Sequence, residues 1–81
     1  MTERTFHPEG TALDGGERGH ILSLVDHDSG ATVGQLRVNP SEWAQLKSAG
    51  VDYLFSGQVP NITWADAEHA VRAVLGRGFA V

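Results

Sequence analysis

The sequence predicts a small single-domain α+β fold: β-β-α-β-α in order, with a three- to five-stranded sheet and two helices packed on one of its faces. Three observations carry this expectation. At 81 residues the chain has room for one hydrophobic core and no more. Residues 20–38 follow the two-residue period of paired strands around a turn. Two segments, beginning at Asn39 and at Thr63, open on helix-capping side chains and continue at helical spacing.

Residues 1–19 differ in character from the rest. Pro8, Gly10, Gly15, Gly16 and Gly19 punctuate them, and apolar positions are few. They read as an N-terminal arm, either flexible or contributing an edge strand at Thr5-Phe6-His7 or Thr11-Ala12-Leu13, ahead of a compact α+β domain spanning 20–81. On an arm that orders against a partner, Phe6 is the anchor.

His20 to Val25 is rich in strand formers. Leu22 and Leu24 share one face and Ile21 and Val25 the other, as expected of a strand inside a sheet. Asp26-His27-Asp28-Ser29-Gly30 is a turn, since Asp and Ser bond their own backbone and Gly supplies a positive φ. The return strand is Ala31 to Val38. Thr32, Leu36 and Val38 are expected on one face, and Val33, Gln35 and Arg37 on a wetter one. Gly34 marks a bulge or a close backbone approach.

Asn39-Pro40-Ser41-Glu42 is a capping box with proline at the first helical position, and Gly50 stops the helix. Trp43 and Leu46 form its apolar face. Val51 to Phe55 then reads as a strand, with Val51, Tyr53 and Phe55 on one side. After a loop at 57–62, Thr63 caps a second helix. Its inward stripe is Trp64, Ala67, Val71, Val74 and Leu75, and Glu68 and Arg72 pair on another side. Gly76 and Gly78 end it, and Phe79-Ala80-Val81 offers a short edge strand. A crossover through the first helix makes strands 31–38 and 51–55 parallel if they are neighbours; otherwise the sheet is mixed or antiparallel.

Composition narrows the function. The net charge is −4, and the six basic residues lie singly along the chain, so direct nucleic-acid binding is not expected. The absence of cysteine removes disulfides, zinc fingers and thiol chemistry. Neither a signal peptide nor a membrane-spanning stretch is evident, which places the protein in the cytoplasm. One lysine against five arginines, with isoleucine and asparagine scarce, points to a GC-rich genome, bacterial or phage.

No catalytic, cofactor-binding or metal-binding residue is assigned. Asp26-His27-Asp28-Ser29-Gly30 opens like a calcium loop, but Gly30, Ala31 and Arg37 stand where a ligand, the turn glycine and the closing glutamate belong. His7, His20, His27 and His69 have no ligand spacing. No serine sits in a nucleophile elbow, and the glycines match no phosphate loop.

The aromatic residues carry the functional expectation. Trp43 and Trp64 belong to helix stripes and hence to the core. Tyr53 and Phe55 share a strand face which, if the helices lie opposite, is an exposed patch of the kind that marks contacts. The contact residues expected are Tyr53, Phe55, Phe6 and Arg37. The expected function is a small acidic, non-enzymatic protein–protein interaction or accessory module, bound to a protein partner or to its own copy. Two alternatives remain: a phage- or mobile-element-encoded inhibitor of a bacterial nucleic-acid-processing complex (anti-CRISPR or anti-restriction type), and a minimal enzyme or ligand-binding domain with its site at a homodimer interface.

Overall fold

A computed structural model describes residues 4–80. Four strands, β1 (Thr5–Ala12), β2 (His20–Asp26), β3 (Thr32–Val38) and β4 (Ile62–Thr63), form one antiparallel sheet in the order β3-β2-β1-β4. Two helices, α1 (Pro40–Ser48) and α2 (Trp64–Leu75), pack on one face, so the fold is α+β as the sequence predicts. From residue 20 onward the order β-β-α-β-α holds, but the strand between the helices is Ile62–Thr63. Residues 51–55, expected as that strand, form a 3₁₀ helix instead.

The arm expected at 1–19 contributes β1, which pairs with β2 along its whole length. Phe6 and Pro8 point inward and are buried. Residues 1–3 and 81 of the expected arm and terminal strand lie outside the described residues. β2 lies between β1 and β3, and its two faces differ as the sequence implies: Leu22 and Leu24 are fully buried, Ile21 and Val25 half-buried. The core adds Leu36 and Val38 from β3, Leu46 from α1, Ala67 and Val71 from α2, and Phe55 and Phe79.

Gly34 serves both roles its type predicts. The register slips between Leu24 and Val25, leaving Val33 as the extra residue of a bulge. Beyond the bulge the alternation inverts, so Thr32, expected beside Leu36 and Val38, lies opposite Val25 and is exposed. On the inner face a Cβ on Gly34 would collide with Cη2 and Cζ3 of Trp64, whose indole lies on the bare backbone. Trp64 also meets Phe6 and Phe79 edge-on, at 5.6 and 6.0 Å, and its Nε1 donates to Glu68 Oε2 at 3.1 Å.

Local signals in the sequence are realised atom by atom. Asn39 Oδ1 accepts from Glu42 N (2.7 Å) while Glu42 Oε1 accepts from Asn39 N (3.1 Å). Thr63 Oγ1 accepts from Asp66 N at 3.1 Å. Glu68 and Arg72 pair at 2.7 Å. In the β2–β3 turn Asp26 Oδ1 accepts the amides of Asp28 and Ser29, its other oxygen takes the Arg4 guanidinium, and Gly30 N donates to Asp26 O. The C-terminal segment is pinned twice: Ala80 exchanges both backbone bonds with Gln35 on β3, and Arg77 bridges Glu42 (2.6 Å) and the Arg37 carbonyl (2.7 Å). Arg77 in turn holds the Glu42 carboxyl below the ordinary glutamate range.

Two measurements test this packing. Gly34→Ala puts a methyl into the Trp64 ring and is expected to lower stability by about 1–3 kcal/mol in denaturant unfolding. The Asp26 carboxyl is lowered from 3.8 to about 2, first by Arg4 and then by the Ser29 and Asp28 amides. A depressed carboxylate stabilises the fold at pH values above its ordinary pKa and loses that contribution as pH falls through its folded pKa. Asp26→Asn is therefore expected to be less stable than the parent at neutral pH, with the two converging as pH falls towards about 2.

Candidate functional site

Gly50 follows α1 in the left-handed conformation (φ 78°) and turns the chain directly into the 3₁₀ helix Val51–Phe55. With three residues per turn, positions two apart point to different sides, unlike residues two apart on a strand. Phe55 accordingly turns inward and is 3% exposed, its ring 6.0 Å from that of Phe79. Its Cβ and carbonyl sit so close to β1 that a Cβ on Gly10 would come within 3.0 Å of each. Val51 and Leu54 are half-buried against the core. Tyr53 points outward and is 58% exposed, the one large hydrophobic side chain so presented among the described residues.

An open slot of about 220 Å³ lies where the end of this helix meets the β1 edge, lined by Glu9, Gly10, Thr11, Phe55, Ser56 and Gly57. Ser56 N donates to the Tyr53 carbonyl at 3.2 Å, so the slot begins one residue beyond the turn that presents the tyrosine. Glu9 and Thr11 border the slot along the β1 strand, their side chains alternating to the face opposite the one on which Phe55 meets Gly10. The arrangement offers an exposed aromatic ring on a short helix whose end borders a shallow slot.

The four expected contact residues do not come together. Phe55 is core, because residues 51–55 are helical. Phe6 is also core, at 4% exposure, because β1 alternation turns it inward beneath Trp64; the Arg4 guanidinium lies 5.5 Å from its ring centre. Both are corrected from contact residues to packing residues. Arg37 is exposed on the face of the sheet away from the helices, opposite Ile21 and two strands from the β1 edge. That face also carries His7, Glu9, Ser23 and Gln35. Of the four, Phe55 lines the slot, and Tyr53 is exposed two residues before it on the same 3₁₀ helix. Sequence reasoning missed Glu9, Thr11 and Ser56. The available signal was the spacing of Val51, Leu54 and Phe55, three and then one apart, which is helical and not alternating.

The turn residues Asp26 and His27 have structural partners. The Asp26 carboxylate is consumed by Arg4 and the turn amides. His27 Nδ1 and Asn61 Nδ2 lie 2.6 Å apart and tie the turn to the loop before β4. No group of three or more potential metal ligands converges among the described residues. A second open cavity, about 340 Å³, lies beside the β3 edge and is lined by Thr32, Val33, Gln35 and Ala80, none of them titratable. No described helix is long and apolar enough to cross a membrane.

The division between packing and contact residues is directly measurable. Phe55→Ala and Phe6→Ala are each expected to cost about 3–5 kcal/mol in equilibrium unfolding, whereas Tyr53→Ala stays within about 0.5 kcal/mol of the parent. No family model matches the chain, and no curated protein or solved structure matches it significantly.

Proposed function

We propose that the protein is a non-enzymatic interaction module that holds a heterologous protein partner through Tyr53 and the adjoining slot. The observation that carries this reading is the exposure of Tyr53 on a short helix whose neighbouring residues are seated in the core. A tyrosine presented on a fixed support offers a large contact area with little entropy left to lose, which is why tyrosine is enriched among binding hot spots. The net charge of −4 favours a partner surface carrying basic groups.

The test places a photo-crosslinking amino acid at position 53, and separately at the exposed His69 of α2, in the native host. One discrete adduct with another protein from position 53, absent from position 69, is expected. That protein, purified, should bind Tyr53→Ala at least ~10-fold more weakly than the parent, with the melting transition unchanged. An adduct only with a second copy, no adduct, or equal affinity for the variant would overturn the reading.

A further inference from the structure

We propose that His20 and Trp43 form an acid-sensitive latch between the sheet and α1. His20 opens β2 in register with Ala12 of β1 and Val38 of β3. Its imidazole stacks on the Trp43 indole of α1, with ring centres 3.9 Å apart and planes 20° from parallel. The Nδ1 atom is buried and has no hydrogen-bond partner. Gly19, at φ 101°, lies so close to the Val38 carbonyl that no side chain fits there, and a Cβ on Gly16 would come within 3.9 Å of His20 Cε1.

A neutral imidazole suits this position. With its proton on Nε2, Nδ1 is an unpaired acceptor, which is a modest cost. Protonation puts an N–H on the buried Nδ1 with nothing to receive it, and places a charge on a half-buried ring. Lys47, one turn beyond Trp43 on α1, adds like-charge repulsion. Among the described residues no opposite charge answers from the other elements: β1 supplies Ala12, β3 Val38 and the turn Gly16, while Asp14 and Arg18 beyond it pair with each other at 3.0 Å. The indole face attracts a cation, while burial first and Lys47 second push the His20 pKa below its ordinary value. The stack is therefore intact above the ordinary histidine pKa and weakens as pH falls through the lowered one. Its release leaves the first half of α1 held by Leu46 and the Arg77–Glu42 bridge, with the Trp43 indole freed to reach solvent.

Two measurements on the full chain decide the matter. The thermal midpoint of the parent is expected to fall by a few degrees between about pH 7.5 and about pH 5.5, above the main range of carboxylate titration. His20→Phe, a ring that stacks but cannot ionise, should lose that fall, and Lys47→Met should reduce it. In two-dimensional NMR the Trp43 indole resonance should move with the His20 titration and not with those of His7, His27 or His69. The same midpoint fall in His20→Phe, or a Trp43 resonance indifferent to His20, would refute the latch. If His20→Phe does not fold, the NMR titration of the parent decides alone.

Discussion

The fold turns on one contact: the six-membered ring of the Trp64 indole set against the backbone of Gly34. A side chain that large reaches the sheet only where the sheet has no side chain to offer, and β3 supplies the bare position beside its bulge. Around the ring gather Phe6 from β1, Phe79 from the C-terminal segment and Glu68 from α2. Segments from both ends of the chain are thereby fixed to its middle. Large aromatic groups packed in this way replace the disulfide or metal that a chain of this size often needs.

Polar ties complete what the core begins, and each joins segments far apart in sequence. Arg4 and Asp26 link the start of β1 to the β2–β3 turn, and Arg77 links the C-terminal segment to α1 and β3. The Glu42 carboxylate caps its own helix while accepting the Arg77 guanidinium. Such pairs add less than burial does, but they fix register and orientation, which a small core leaves loosely specified. The same economy shapes the candidate site, where the burial of Phe55 holds the short helix that keeps Tyr53 outward.

Much of this was legible in the sequence wherever a local rule governs. The capping box at Asn39, the Asp-Ser-Gly turn, the central place of β2, the close approach at Gly34 and the helix stripes all follow from side chains acting on their own neighbourhood. What escaped depended on distant partners. Residues 5–12 look like a loose arm because Pro8 and Gly10 weaken strand propensity; pairing with β2 and burial of Phe6 override it. Residues 51–55 satisfy strand propensity by composition, yet their apolar spacing is helical. Composition misassigned Phe55 and, through it, the contact patch. Tyr53 was recoverable because an exposed aromatic follows from either reading.

The C-terminal bridge has a consequence for how the molecule behaves in company. Gln35 presents its amide and carbonyl outward from β3, and only Ala80 answers them. On the other side, β4 covers just Thr5 and Phe6 of β1. A sheet whose margins are closed by one bridge and a two-residue strand stands close to being an open template for any extended chain. Fraying of residues 77–80 would bare the β3 margin first, so resistance to strand-to-strand aggregation rests on the last few described residues and on the arginine that clasps them.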